Sequence, residues 1–191
     1  MQLGLDPKKL VFLDETGAKT NMTRLYGRAP IGQRLVDRTP HGHWVNNTYV
    51  CGLRYNRIVA PHVFVGAMNS ARFLHYIETI LLPTLRKGDI VVMDNLPAHL
   101  DGRVVPLIES KGVKVLYLPG YSPDLNPIEL SFSKLKSVLR KLKIRDVPAL
   151  QKFLLESGRL FDKKECQAYF KHNGYTVHKR QECSKRRFMG F

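Results

Sequence analysis

One short and almost wholly apolar segment, DIVVM at residues 89–93, most constrains what this chain can fold into. A strand with apolar residues on both faces is typical of a parallel sheet covered by helices on both sides. A second run, KLVFL at 9–13, also predicts a strand, because it is rich in β-branched and aromatic residues. The two segments together predict a sheet that is buried on both faces.

The elements between and after these strands alternate in type, as expected for an α/β fold. Asn69 and Ser70 form an N-cap signal, and Pro83 lies just beyond the helix that follows. Strand followed by helix along the chain predicts a mixed sheet with helices on its faces. The further predicted strands are 48–53, 57–65 and 113–118, the first two joined by a turn at Tyr55 and Asn56, and the predicted helices are 71–82, 98–110, 128–142, 147–157 and 163–170.

The charge of the chain points to a polyanionic partner. The 191 residues suffice for one domain, and they carry 31 Lys and Arg against 16 Asp and Glu, a net charge of +15. Residues 130–191 hold much of this excess, and phosphate contact explains it best. We assign 1–177 to one domain and 178–191 to a basic tail, for which a merely solvated segment is an equal alternative. No long apolar run supports a membrane surface as the partner.

Cysteine usage and the first residues predict an intracellular protein. Cys51, Cys166 and Cys183 are far apart, odd in number and form no CxxC pair. A disulfide framework or a zinc site is therefore not expected, and a reducing compartment fits. The first ten residues, MQLGLDPKKL, lack a signal-peptide core, and no segment is long and apolar enough for a membrane span.

Three acidic residues lie at positions where α/β proteins often carry catalytic or ligand-binding residues. We expect Asp14 and Asp94 at the ends of the two apolar strands and Glu129 at the start of a helix after a Pro-rich loop. Carboxylates that meet without a neighbouring cation repel, and a bound cation relieves this repulsion. Hard oxygen ligands favour two Mg²⁺ (or Mn²⁺) ions, which suit phosphoryl transfer. The alternative for each acid alone is a turn residue or a favourable helix-dipole contact.

The segments around these acids resemble a known family. VFLDET, VVMDNLPAH and LPGYSPDLNPIELSFSKLK closely resemble the DDE endonuclease domain of bacterial insertion-sequence transposases of the IS630 group and their Tc1/mariner relatives. The 34 residues between Asp94 and Glu129 are typical of that group. RAPIGQR at 28–34 is similar to the basic loop after the first acid, and CQAYFKHNGY at 166–175 to the C-terminal helix and turn. The resemblance covers most of 9–177.

The resemblance implies a ribonuclease H-like fold, with Asp14, Asp94 and Glu129 as the catalytic and metal-binding triad. It implies hydrolysis of a DNA phosphodiester and attack of the freed 3′-hydroxyl on target DNA, characteristically at the dinucleotide TA. Double-stranded DNA, as transposon end and as target, is the implied partner, and a homodimer is expected. A bacterial, cytoplasmic and nucleoid-associated protein is expected in turn.

Four residues beside the acids are candidates for supporting roles. Glu15 follows Asp14 directly, and in a strand it points to the opposite face, which favours a structural or supporting role over metal ligation. Asn95 and His99 lie beside the second acid; His99 either orients a water or phosphate, or packs locally at a helix start. Asn126 looks like the turn residue that sets Glu129 on its helix.

Two groups of basic residues are candidates for DNA contact, with solvated faces as the alternative. One group lies in a Gly/Pro-rich loop, and the other shares one face of the helix that begins near Glu129. These candidates are Arg28, Arg34 and Arg38 in the loop, and Lys136, Arg140 and Lys143 on the helix.

The chain also departs from the family pattern. Transposases of this group carry an N-terminal helix-turn-helix region, whereas this sequence begins about a dozen residues before Asp14. We therefore expect weak sequence-specific binding of transposon ends unless a separate helix-turn-helix half is supplied. The competing hypothesis is a catalytically silent DNA-binding remnant that inhibits a full-length transposase through mixed dimers.

Overall fold

The computed structural model describes residues 5–38, 44–120 and 122–177, and a five-stranded mixed sheet lies at its centre. The spatial order is β3-β2-β1-β4-β5, antiparallel on the β3-β2-β1 side and parallel from β1 through β4 to β5. The fold is therefore the predicted mixed α/β sheet. The strands are β1 (Leu10–Ala18), β2 (Asn47–Arg54), β3 (Arg57–Val65), β4 (Ile90–Met93) and β5 (Lys114–Tyr117).

Within the described part of the chain, five α-helices cover the two faces of the sheet. They are α1 (Ser70–Tyr76), α2 (Val104–Glu109), α3 (Ile128–Leu142), α4 (Val147–Glu156) and α5 (Lys163–His172). The bounds of α3 agree with the prediction, and those of α4 and α5 differ by one or two residues. No helix in the described part of the chain is both long enough and apolar enough to cross a membrane.

The alternation of side chains along β1 separates two hydrophobic cores. Leu10 and Phe12 pack into the core that contains the buried residues of α3, α4 and α5. Val11 and Leu13 pack into the opposite core, with the buried residues of α1 and α2. Because successive strand residues point to opposite faces, this arrangement explains why KLVFL is apolar throughout.

The prediction that Asp14 ends the first strand was wrong. β1 continues to Ala18, because β2 pairs with it without interruption as far as Ala18 and Asn47. On the other side, the pairing of β1 with β4 stops at Phe12 and Val92. Asp14 therefore lies inside a strand on its antiparallel side but just past the last parallel pair, which leaves its side chain next to the end of β4.

Two predicted helices differ from the observed ones. Asn69 caps α1 through a bond from the amide of Arg72, as predicted, but regular α-helix stops at Tyr76. A wider π turn (Ile77–Leu81) and a 3-10 turn (Leu82–Thr84) follow. Pro83 has no amide hydrogen to donate, so regular α-helical pairing cannot continue through it.

The helix predicted at 98–110 is much shorter. Only Val104–Glu109 is α-helical, and residues 96–103 form successive turns, such as that closed by the amide of His99 on the carbonyl of Leu96 (2.8 Å). Gly102 disfavours helix, and the side chain of Asp101 accepts a bond from the amide of Arg103, which favours a turn. His99 therefore lies in a turn before α2 and not at the start of a helix.

A buried ion pair fixes the end of the sheet opposite to Asp14. Arg54, the last residue of β2, lies with its Nη2 2.6 Å from Oδ2 of Asp89, just before β4, and both side chains are buried. Arg54 also donates to the carbonyl oxygen of Thr84 at 3.0 Å. This contact joins the β2-β3 hairpin to the start of β4, and sequence analysis did not anticipate it.

The packing of α3 generates a stability prediction. Leu135 is fully buried between the helix and the sheet, whereas Ser137 on the same helix is exposed. We expect Leu135→Ala to lower the free energy of unfolding by about 2–5 kcal/mol, because it leaves a cavity. Ser137→Ala, the matched control, should change it by less than about 0.5 kcal/mol. Chemical denaturation of both variants measures this, and equal effects would contradict the described packing of α3.

Candidate active site

A cleft of about 430 Å³ opens at the end of the sheet where the parallel strands stop. Asp14, Asp94 and Glu129 all line it, so the fold brings together the three acids that are 80 and 35 positions apart in the sequence. The remaining walls come from the segment after β4 and from the loop that follows β5. They comprise Asn95, Leu96, Leu118, Pro119, Gly120, Ser122, Pro123 and Asn126.

Asp14 is the buried acid of the cleft, with only 7% of its surface exposed. Burial, together with the nearby carboxylates of Glu129 and Asp94, raises its pKa to about 7. A bond from the amide of Glu15 (2.7 Å to Oδ1) acts in the opposite direction but does not cancel these effects. Asp14 is therefore a carboxyl group that this site makes difficult to ionise.

Asn126 holds the second oxygen of Asp14. Its Nδ2 donates to Asp14 Oδ2 at 2.8 Å, and the Asn126 side chain is itself buried. The amide of Glu129 in turn donates to the backbone oxygen of Asn126 at 3.2 Å. Asn126 thus connects the buried acid on β1 to the first turn of α3, in addition to the turn role that the sequence indicated.

Asp94 follows β4 directly and is partly exposed to the cleft. The amide of Leu96 donates to its Oδ1 at 3.3 Å. Burial raises the pKa of Asp94, but the imidazole of His99 outweighs this effect, and the pKa is lowered overall. Asp94 is therefore ionised under conditions in which Asp14 is not fully so.

His99 lies behind Asp94 and is fully buried. Its Nδ1 is 2.6 Å from Asp94 Oδ1 and its Nε2 is 3.8 Å from Glu15 Oε2. Burial lowers the pKa of His99, but these two carboxylates overcome it and raise the pKa to about 9. The ring also packs on Phe73, with centroids 4.1 Å apart.

Glu15 lies on the opposite face of β1 from Asp14, as the alternation predicted. Its side chain lies near His99, and Glu15 is not among the described residues that line the cleft. Sequence analysis named Glu15, His99 and Asp94 separately and missed that one imidazole lies between the two acids. Glu15 and His99 are 84 positions apart, and no local pattern predicts such a contact.

Glu129 is the exposed member of the triad and occupies the first turn of α3. Buried Ile128 and Phe132 hold this turn against the sheet.

On the far wall of the cleft, exposed Asn95 donates from Nδ2 to the carbonyl oxygen of Leu118 at 3.0 Å, which ties the end of β4 to the end of β5. The contribution of Leu118, Pro119 and Gly120 to the cleft was not predicted, although they lie in a segment that carried the family resemblance.

The donor set of the cleft fits a hard divalent cation. Its three carboxylates supply the oxygen ligands that Mg²⁺ and Mn²⁺ favour. Buried Asn126 Oδ1 has no hydrogen-bond partner among the described residues, so a polar oxygen beside Asp14 remains available. Within 5–38, 44–120 and 122–177, no three His, Cys, Asp or Glu side chains are close enough to enclose an ion as they stand. The three carboxylates therefore fit a divalent cation by their ligand chemistry and by their placement around one cleft.

The candidate DNA contacts lie outside the cleft lining. Arg28, Arg34 and Arg38 are exposed in the segment after β1, and Lys136 and Arg140 are partly exposed on α3. Lys143 does not continue that helical face, because it adopts a left-handed conformation just beyond α3 (φ 51°). Its Nζ lies 2.9 Å from Asp37 Oδ2, which joins the loop to the end of α3. The predicted tail 178–191 lies outside the described residues.

Comparisons with known proteins agree with this geometry. The family model described as "DDE superfamily endonuclease" matches residues 9–151. The Tcb1 transposase of a transposable element from Caenorhabditis briggsae is 34% identical over 137 residues, which are 66% of this chain and 48% of that protein. The chain thus spans about half the length of this relative.

Solved structures of the Mos1 mariner transposase share the fold. The strand transfer complex superposes with a TM-score of 0.70 at 20% identity, covering 86% of this chain and 51% of that one. The paired end complex with Mg superposes with a TM-score of 0.72 at 20% identity, covering 86% of this chain and 52% of that one. The isolated Mos1 catalytic domain superposes with a TM-score of 0.58 at 17% identity, covering 87% of this chain and 76% of that one.

The predicted ribonuclease H-like fold is confirmed by these superpositions, and the predicted family by the match over 9–151. The matched range contains all three acids of the cleft. The chain belongs to the DDE superfamily endonucleases, and it is similar to transposases of the Tc1/mariner type.

Proposed function

We propose that this domain cleaves DNA strands in a metal-dependent reaction and joins the resulting 3′-hydroxyl ends to target DNA. The observation that carries the proposal is the meeting of Asp14, Asp94 and Glu129 around one cleft at the end of the parallel strands. A solved strand transfer complex of the structurally similar Mos1 transposase supports the same reaction class.

Asp14, Asp94 and Glu129 are the residues that would hold the metal. Two divalent ions bound there would activate the attacking oxygen and stabilise the leaving oxygen of the phosphodiester. Mos1 complexes solved with Mg and with Mn support this choice of ions. The raised pKa of Asp14 fits this use, because a neighbouring cation would favour its ionised form.

The supporting residues would fix the positions of the acids. Asn126 orients Asp14 through its 2.8 Å bond, and His99 holds one oxygen of Asp94 from behind. Glu15 on the far side of His99 helps to keep the imidazole charged, since its carboxylate raises the pKa of that ring. Asn95 ties together the two strand ends that form one wall. Such contacts keep a ligand set preorganised.

The partners follow from the same proposal. Transposon-end and target DNA would lie over the cleft, with TA as the target dinucleotide. Arg28, Arg34, Arg38, Lys136 and Arg140 would contact phosphates, whereas Lys143 would act through its ion pair with Asp37. A homodimer, end recognition by a helix-turn-helix region, and a bacterial, nucleoid-associated location remain parts of the proposal.

Strand transfer from a pre-cleaved DNA end tests the proposal. We expect product with Mg²⁺ or Mn²⁺ from wild type and at least a 100-fold loss in Asp94→Asn, because an essential ligand charge is removed. Glu109→Gln removes an exposed acid outside the cleft and should match wild type. Hydrolysis without strand transfer would indicate a nuclease. DNA binding without product from any variant, with a helix-turn-helix half also supplied, would favour the silent remnant.

The burial of Asp14 predicts a cost in stability. Its pKa is about 7 in the fold against 3.8 in a model peptide, so the folded state binds more protons between these values and loses stability as pH rises through that window. At pH 8 without metal, Asp14→Asn should therefore raise the free energy of unfolding, by up to about 4 kcal/mol. Thermal and urea unfolding at pH 5 and pH 8 measure this effect.

The same experiment includes its own control. The gain in Asp14→Asn should be smaller at pH 5, because that pH lies only part of the way through the window from 3.8 to about 7. Added Mg²⁺ should stabilise wild type but not the variant, because only the ligated form gains binding free energy. A variant that is equally destabilised at both pH values would contradict this account of the buried acid.

Asn126 generates a third prediction. Asn126→Ala removes the donor to Asp14, and loss of such an orienting contact weakens metal affinity by about 10–100-fold. We expect the Mg²⁺ concentration for half-maximal activity to rise by that factor, with a smaller change in the maximal rate at saturating metal. An unchanged metal dependence would show that Asn126 only shapes the turn before α3.

A further inference from the structure

A second concave surface lies at the opposite end of the sheet from the acidic cleft. A cavity of about 580 Å³ is formed by the β2-β3 turn, the segment before β4 and the start of α5. A neighbouring cavity of about 440 Å³ continues it along α5, and the two share Tyr55, Gln167 and Val177. We call the two cavities together the distal groove.

The strand register places the distal groove away from the triad. Arg54 in the groove is opposite Val11 on β1, whereas Asp14 is opposite Cys51. Three residues of strand, about 10 Å at 3.3 Å per residue, separate the two positions along β1. The groove also borders the end of the sheet where β4 begins, and the cleft borders the end where β4 stops. A ligand that follows a single straight path across the acidic cleft would therefore not contact the distal groove.

The lining of the distal groove is strongly basic. Among the residues that the structure describes, no acidic residue lines either cavity and six lining cations are exposed. None of these six forms an ion pair with another described residue. They are Lys8, Arg57, Arg86, Lys163, Lys164 and Lys171.

The helix α5 presents its cations to the groove and its acid elsewhere. Lys163, Gln167 and Lys171 recur at every fourth residue and line the groove along one face of the helix. Glu165 on the same helix is paired with Lys134 of α3 at 2.6 Å, so its charge is neutralised away from the groove. The eight-residue rise from 163 to 171 spans about 12 Å, which matches three to four nucleotides of one strand at 3.4 Å each.

A buried donor in the groove wall is also unpartnered. Arg54 lines the groove with 7% of its surface exposed, and its Nη2 is held by Asp89 and the carbonyl oxygen of Thr84. Its Nε is buried and has no hydrogen-bond partner among the described residues. A guanidinium N–H of this kind suits a phosphate oxygen or a water that bridges to one.

We propose that the distal groove binds the phosphate backbone of a DNA segment other than the one held at the acidic cleft. The excess of cations over acids in the lining provides sequence-independent affinity through counterion release. Tyr55, the aromatic residue shared by the two cavities, packs edge-on against Phe170 (centroids 5.5 Å apart) and is not a free platform for base stacking. The groove therefore recognises backbone and not bases. That the anion is DNA rests on the proposed function.

The salt dependence of DNA binding tests the proposal. The full chain is titrated with a 30-base-pair duplex of arbitrary sequence by fluorescence anisotropy, in EDTA so that metal-bridged contacts at the acidic cleft do not contribute. Arg57→Gln/Arg86→Gln/Lys163→Gln is compared with Lys111→Gln/Lys114→Gln/Lys152→Gln, which removes the same charge from exposed lysines that line neither cavity. Thermal melting of both triple variants confirms folding before binding is measured.

We expect the slope of log K against log salt concentration to decrease in magnitude by about 2–3 in the groove variant, since each lost phosphate contact contributes about 0.9. Affinity at 0.1 M salt should fall roughly 10-fold or more, while the control variant stays close to wild type. Equal losses in the two variants, or no loss in the groove variant, would overturn the proposal.

A crosslinking measurement gives an independent readout if the triple variant is unstable. A benzophenone amino acid replaces Gln167, which lines both cavities, or Lys152, which lines neither. Salt-sensitive crosslinking to the duplex from position 167 alone supports the groove, and equal crosslinking from both positions contradicts it. Neither experiment requires turnover. A wild-type protein without strand transfer activity would therefore refute the proposed function, whereas the binding and crosslinking results would still decide the proposal for the groove.

Discussion

Burial of the Asp14 carboxyl group constrains the whole structure, because a protein interior disfavours the ionised form of a carboxyl group. Asp14 is 7% exposed on the central strand, and two further acids line the same cleft. Burial and this repulsion together raise its pKa to about 7, so the metal-free fold carries an unfavourable group at neutral pH. Such a cost is typical of functional sites, where strain in the free protein is relieved by a ligand.

The topology of the sheet explains why the three acids meet. β1 pairs antiparallel with β2 from Val11 to Ala18, but its parallel pairing with β4 stops before Asp14. Asp14 is thereby held rigidly from one side while its other side opens onto the end of β4, where Asp94 follows directly. The buried residues of α3 then bring Glu129 to the same cleft, and Asn126 joins that helix to Asp14. Each acid is positioned by a different part of the core.

Sequence patterns predicted what depends on local periodicity and missed what depends on tertiary contact. The bounds of α3 were predicted because its apolar residues recur at helical spacing, and the triad because its flanking segments resemble a family. The length of β1 was underestimated, since only pairing with β2 extends it through Gly17 and Ala18. The helix before residue 104 was overestimated, since turn-forming Asp101 and Gly102 outweighed the apolar pattern. The contact of His99 with Glu15, and the basic distal groove, join segments that no local pattern links.

Direct measurement of metal binding tests most closely whether the three carboxylates form a catalytic metal site. Mn²⁺ bound to the wild-type chain is counted by electron paramagnetic resonance in the presence of a pre-cleaved DNA end, with Asp94→Asn under identical conditions. The account predicts about two tightly bound ions per wild-type chain, with loss of at least one in the variant. Mn²⁺ binding that is absent from wild type, or identical in wild type and Asp94→Asn, would contradict the assignment of the cleft.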